Sequence, residues 1–205
     1  LHSLDAPPPL YVAFMEKGEL KTAASQMDAV EQALDATTIM SELQNVNSGD
    51  IVILDANLHP VVMADVVDQL RGRCRIIFEP ISSAKAARHV EHLSDIFLLT
   101  PDRREFEGIL ESTDPSDEAV LKYLGDRRID FLLATRGKEG ARLYGGGSRV
   151  DFAPNTCLEI SDSTGAGDML TALLAEEIAR GIEPYDAVPG CMAKVEAMLA
   201  TRSRL

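Results

Sequence analysis

Short apolar runs alternate along the chain with stretches in which apolar residues recur every three or four positions. The runs IVIL (51–54), RIIF (75–78), DIFLL (95–99) and DFLLA (130–134) carry branched and aromatic residues over the length of a strand. Between them, PVVMADVVDQL (60–70), RREFEGIL (103–110) and DEAVLKYLG (117–125) gather their apolar side chains on one helical face. Strand and helix in this alternation predict an α/β fold, a parallel sheet covered by helices, in a single domain. Two segments break the rhythm and read as hairpins. LYVAFMEKGELKTAA (10–24) turns near Lys17 and Gly18, and GARLYGGGSRVDFAP (140–154) turns around Gly145, Gly146 and Gly147.

Two further helices follow the second hairpin. Met169, Leu170, Leu173, Leu174 and Ile178 form one apolar face that stops at Gly181 and Pro184. In YDAVPGCMAKVEAML (185–199), Val188, Cys191, Met192, Val195 and Leu199 form another. The stretch ESTDPSDE (111–118) is a helix connection with a Ser or Asp cap, and no internal repeat or low-complexity stretch is present.

Charge narrows the range of partners. The formal net charge is −13 over 205 residues, and the basic residues are scattered, which argues against nucleic acid and anionic membranes. Three cysteines, Cys74, Cys157 and Cys191, are far apart with no histidine at ligand spacing, as expected of a reduced, cytoplasmic protein. No apolar run approaches the ~18 residues that span a bilayer, and LHSLDAPPPL at the start lacks the pattern of a signal peptide.

The candidate chemistry lies in EISDSTGAGDML (159–170), where Gly165, Ala166 and Gly167 stand between two aspartates, Asp162 and Asp168. Asp168 falls in the first turn of the helix that follows. The three residues before it offer backbone N–H groups at the helix start, a place suited to an anion and to phosphate above all. With a carboxylate in the same turn, the pattern suits phosphoryl transfer: the donors stabilise charge on the moving group and Asp168 takes a proton from the attacking hydroxyl. The same residues also fit a glycine-rich turn with an acidic helix start. They form neither a dinucleotide-binding fingerprint nor a Walker A loop, lacking the third glycine of one and the lysine of the other.

Three motifs in order resemble the ribokinase-like (pfkB-type) family of sugar and nucleoside kinases. Asp162, Ser163, Thr164, Gly165, Ala166, Gly167 and Asp168 are similar to the family's D-T-x-G-A-G-D signature. Thr135, Arg136, Gly137 and Gly140 resemble its T-x-G-x-x-G strand end, and LLTPDRREFEGIL resembles its N-x-x-E segment. The resemblance implies a three-layer α/β/α sheet with helices on both faces and the first hairpin as the remnant of a β lid. It implies ATP and Mg²⁺, with Asp168 as base and Gly165, Ala166 and Gly167 as anion hole. Thr135, Gly137, Gly140, Asp102 and Ala193 would lie on the nucleotide side, Ala193 among small side chains beside the adenine, where ordinary core packing explains the same helix equally well. Glu105 would organise Mg²⁺ through water, and Asp162 and Thr164 would stand near a monovalent cation such as K⁺. One position departs from the pattern: the asparagine of N-x-x-E is Asp102, which adds a negative charge near the phosphates and also fits a helix cap after Pro101.

Asp55, Ala56 and Asn57, followed by Glu79, Pro80, Ser82, Ser83 and Lys85, resemble the pseudouridine kinases within that family, as does residues 18–30 after the first turn. Read singly, Glu79 and Lys85 fit a strand-end acid and a solvated helix lysine equally well. The chain corresponds to the C-terminal two thirds of the family fold, and its first fifty residues contain no Gly-Gly pair of the kind that holds the sugar in relatives. Two classes follow: a kinase acting on a sugar or nucleoside, with pseudouridine favoured over ribose, fructose and adenosine, or a non-catalytic nucleotide-binding or interaction module derived from one. Exposed strand edges and apolar helix faces are expected to favour homodimers or self-association. His89 and His92, at i, i+3, read as a polar helix surface.

Overall fold

A computed structural model describes residues 8–16, 19–155 and 163–202. The first hairpin forms as an antiparallel ribbon of β1 (Leu10–Glu16) and β2 (Glu19–Gln26), apart from the main sheet; Lys17 and Gly18, its expected turn, lie outside the described residues. Every residue of β1 is exposed, with Leu10, Tyr11 and Phe14 each more than half so. Two short helices that the periodicity did not predict follow, α1 (Asp28–Ala33) and α2 (Ala36–Glu42). α2 is started by Asp35, whose side chain accepts from the Thr38 N–H at 2.7 Å.

The main sheet runs in chain order. β3 (Ile51–Asp55), β4 (Arg75–Glu79), β5 (Leu98–Leu99) and β6 (Phe131–Thr135) are parallel, and β7 (Ala141–Gly145) and β8 (Ser148–Phe152) continue it antiparallel. The second predicted hairpin therefore extends the sheet. The third strand is shorter than DIFLL suggested. Asp95 takes a left-handed φ of 58°, and its carboxylate is gripped by Arg128 at 2.6 Å and Arg71 at 3.0 Å, so the ladder starts three residues later.

Alternation along the strands divides the core in two. Val52, Leu54, Ile76, Phe78, Leu99, Leu132 and Ala134 face α3 (Pro60–Leu70), α4 (Ser83–His89), α5 (Arg103–Leu110) and α6 (Asp117–Arg127). Ile77, Leu98, Leu133, Ala141 and Leu143 face α7 (Ala166–Ala179) and α8 (Pro184–Arg202). Helices thus cover both faces, in the three-layer arrangement expected. Local chemistry sets the boundaries of these helices. Pro60 opens α3 where its missing N–H costs nothing, Ser116 caps α6 through the Ala119 N–H at 3.2 Å, and Gly181 follows α7 at φ 87°. Among the described residues no helix is long and apolar enough to cross a membrane.

His89 corrects the reading of His89 and His92 as a polar surface. It closes α4 fully buried, its ring 5.4 Å from that of Phe78, while His92 lies in the separate 3₁₀ turn that follows. Neither ring nitrogen has a partner at hydrogen-bond geometry among the described residues. Burial holds the imidazole below the ordinary histidine range, and the backbone of Ala56 offsets only part of this. The unfolded chain takes up a proton near pH 6.5 that the folded chain refuses, so stability present above that pH falls as the pH drops towards the depressed folded value. Urea midpoints measured at pH 5 and pH 8 should separate further in the native protein than in His89→Leu; equal separation would place the acid sensitivity elsewhere.

Candidate active site

At the C-terminal ends of the parallel strands, the side facing α7 turns from apolar to polar. Two residues after Ile53, Ile77, Leu98 and Leu133 on that face stand Asp55, Glu79, Thr100 and Thr135. Asp55 and Glu79 are register partners on adjacent strands. Glu79 is the best anchored of these: its Oε2 accepts from the Thr100 hydroxyl at 2.6 Å and from the Thr171 hydroxyl at 2.7 Å. Thr171 belongs to α7, so this carboxylate joins β4, the end of β5 and the helix at one point. Burial pushes the Glu79 carboxyl up, the two hydroxyls pull it partly back, and the charge of Asp168 raises it further.

α7 starts in a way only glycine allows easily. Gly165 has φ 76°, and the turn closes when the Ala166 N–H donates to the Ser163 carbonyl at 3.0 Å. One of the three N–H groups expected to bind an anion is therefore already used. The Met169 N–H donates to the Gly165 carbonyl at 3.0 Å, and the N–H groups of Gly165, Gly167 and Asp168 have no acceptor among the described residues. Asp168 is exposed in this first turn, with Oδ2 4.0 Å from where a Cβ on Gly165 would stand. A Cβ on Gly167 would stand 3.8 Å from Glu79 Oε1, so the helix start and the strand-end carboxylate face each other. From the far end of α8, Arg202 Nη1 donates to the Thr164 carbonyl at 2.7 Å. Asp162, expected beside a monovalent cation with Thr164, lies outside the described residues.

The N-x-x-E-like segment forms a capping box. The Asp102 carboxylate accepts from the Glu105 N–H and the Glu105 carboxylate accepts from the Asp102 N–H, both at 2.8 Å, opening α5. The cap reading of Asp102 is thus realised. Glu105 is 5% exposed, and burial, with added push from the charges of Asp102 and Glu79, raises its carboxyl to about 7 despite the Asp102 N–H. Asp102 also bridges to Thr135, whose N–H donates to the Pro101 carbonyl at 2.9 Å, so the second and third motifs meet at the ends of β5 and β6.

Beyond Thr135, the turn closes when the Arg136 N–H donates to the Gly140 carbonyl at 2.8 Å. Gly140 has φ 88°, and a Cβ there would stand 2.0 Å from the Phe152 carbonyl oxygen, so no other residue fits. Gly137 faces open space, and Ala193 lies on the exposed side of α8, which packs against α7 and β8. At the other side of the strand ends, the backbone N–H and the Nδ2 of Asn57 both donate to Asp55 at 2.9 Å, and Lys85 Nζ donates to Asn57 Oδ1.

Among the described residues no three His, Cys, Asp or Glu side chains converge as a metal cage. Separate carboxylates of this kind fit Mg²⁺, which keeps most of its waters and takes its remaining ligands from phosphate. Thr100 and Thr171 are site residues that motif matching passed over. Their signal was parity: a polar residue closing an apolar strand on the same face, and one polar side chain on the apolar face of α7 three residues after Asp168.

Comparison with known proteins agrees with the fold. The family model for "pfkB family carbohydrate kinase" matches residues 4–189. Among curated relatives, the bifunctional protein HldE of Nitrobacter hamburgensis is 30% identical over 178 residues, covering 82% of this chain and 35% of that protein. The chain thus spans about a third of the length of that relative. A carbohydrate kinase from Agrobacterium tumefaciens superposes with a TM-score of 0.73 at 23% identity, covering 94% of this chain and 62% of the other. Ribokinase from Thermotoga maritima gives a TM-score of 0.64 at 20% identity over 80% of this chain and 52% of its own. At such identities the two structures show the shared fold.

Glu105 gives this site a stability signature. Its folded carboxyl titrates near 7 against an ordinary value of 4.5, so the stability it contributes is complete below pH 4.5 and is lost as the pH rises to 7. Glu105→Gln keeps a capping-box side chain and removes the buried charge. At pH 8 it should be more stable than the native protein by roughly 1–3 kcal/mol in urea unfolding, and about equal at pH 4.5. Loss of stability at both pH values would contradict this assignment.

Proposed function

Because the chain belongs to the pfkB family of carbohydrate kinases, we propose that it carries the phosphoryl-transfer half of a kinase moving the γ-phosphate of ATP to a hydroxymethyl group of a sugar or nucleoside. The observation that carries this reading is the start of α7, where N–H groups with no acceptor among the described residues share one turn with the exposed carboxylate of Asp168 beside the polar strand ends. In this reading Asp168 takes the proton of the acceptor hydroxyl. The N–H groups of Gly167 and Asp168 then face the negative charge that gathers on the transferred group, a contribution of about 3–4 kcal/mol for a well-placed donor. Thr135, Gly137, Gly140 and Ala193 border the nucleotide, with Asp102 at the join between the two strand ends. Mg²⁺, when bound, neutralises phosphate charge, and Glu105 orders its water shell. Thr164, with Asp162, offers oxygen atoms for a monovalent cation such as K⁺.

Pseudouridine is the acceptor favoured within this class. Support comes from the Asp55, Asn57 and Lys85 cluster at the C-terminal end of β3, whose hydrogen-bonded residues resemble that branch. A second reading, an interaction module that has kept the nucleotide side, draws on the exposed Leu10, Tyr11 and Phe14 of β1 and on the 45% exposure of Ile53 in β3.

ATP consumption measured against pseudouridine, ribose, fructose and adenosine separates these readings. Acceptor-dependent turnover should fall by ~10²–10⁴ in kcat in Asp168→Asn, with ATP binding by calorimetry unchanged. Turnover unaffected by the substitution, or an equal loss of ATP affinity, would remove Asp168 from the role of base.

A further inference from the structure

Asp168 and the free N–H groups are useful only if the first turn of α7 stands at a fixed place relative to the strand ends. The backbone alone fixes that turn weakly. Its closing bond is the Ala166 N–H to Ser163, its cap Gly165 makes no side-chain hydrogen bond, and Arg202 holds the Thr164 carbonyl from an exposed position. Apolar packing of Leu170, Leu174 and Ile178 sets the helix against the sheet, but the burial that drives it is non-directional. Directional contacts set the axial position, and Arg75 on the Ile178 carbonyl at 3.5 Å supplies one near the C-terminal end of the helix.

Thr171 supplies the contact at the strand-end side. It is 3% exposed, three residues after Asp168 and so on the same side of the helix, and its hydroxyl lies 2.7 Å from Glu79 Oε2 and 3.2 Å from the Thr100 hydroxyl. Thr100, 5% exposed, is itself fixed to β4: its N–H donates to the Phe78 carbonyl at 3.1 Å and its hydroxyl reaches Glu79 at 2.6 Å. All three polar groups find partners in one another, in a region where an unmatched hydroxyl or carboxylate would be costly. A shift of α7 by one residue would carry Thr171 about 1.5 Å along the helix axis and break the set.

We propose that Glu79 is a positioning residue for phosphoryl transfer: through the hydroxyls of Thr171 and Thr100 it fixes the axial place of α7 and so sets where Asp168 and the N–H groups of Gly167 and Asp168 stand. The proposal rests on the kinase reading for its consequence, but its structural part does not. Glu79 acts through α7, and its effect is on the rate of the step rather than on substrate affinity.

The test pairs amide hydrogen exchange with steady-state kinetics on Thr171→Val, Thr171→Ser and Glu79→Gln. Val keeps the shape of Thr and loses the hydroxyl. In Thr171→Val the amides of Met169 and Leu170 should exchange about tenfold faster or more while those of α3 keep their protection, since one hydrogen bond to a carboxylate is lost. The kcat should fall about tenfold or more with KM for ATP and acceptor held within about twofold, Thr171→Ser should restore both measures, and Glu79→Gln should lie between. Unchanged exchange at Met169 and Leu170, protection lost equally in α3, or failure of Ser to restore would each overturn the proposal. If the native chain phosphorylates no acceptor, the kinase reading fails while the exchange measurements still decide whether Glu79 positions α7.

Discussion

The buried carboxylate of Glu79 ties the ends of the strands to the first turns of α7. The sheet and α7 have separate reasons to exist: the first is held by parallel ladders and the second by its apolar face. Their relative placement along the helix axis is set where Glu79 accepts from Thr100 and Thr171. Strand ends, helix start, capping box and the turn after β6 all converge on that corner. Dispersion and apolar burial are strong but non-directional, so the hydrogen-bonded corner is where geometry becomes specific.

The electrostatics of this corner are unusual for a place proposed to receive phosphate. Glu79, Glu105, Asp102 and Asp168 bring four acids together in a chain whose net charge is already −13. Burial raises the carboxyls of Glu79 and Glu105, and Glu105 titrates near 7, so part of that negative charge is withdrawn at neutral pH. The substitution of Asp102 for the family's asparagine adds a charge, but that carboxylate is turned to the Glu105 N–H and serves the helix start. The dipole and open N–H groups of α7 then provide the positive end that an anion needs.

Much of this was legible in the chain. The period-two and helical patterns gave β3, β4, β6, α3 and α5 nearly to the residue, because each is apolar on a face that the sheet or its covering helices bury. Other features were hidden because tertiary contacts decide them. Asp95 shortens β5 through a left-handed φ and two arginine partners from distant segments, and His89, polar by type, is buried at the end of α4 against Phe78 of β4. At the site, glycine spacing announced the α7 turn, since Gly165 and Gly140 occupy conformations that few other residues adopt. The Ala166 N–H could not be known in advance to be spent on Ser163, and Thr100 and Thr171 matched no motif. Strand parity alone marked Thr100, and only the fold shows that Thr171 meets it.

An anion held at the start of α7 is the central claim, and binding tests it without waiting for turnover. Adding ATP and Mg²⁺ to isotopically labelled protein should move the amide resonances of Gly167 and Asp168 at the lowest ligand concentrations, while Gly72, at the opposite end of the sheet between α3 and β4, stays in place. Saturable ATP binding that leaves Gly167 and Asp168 unmoved would contradict the claim.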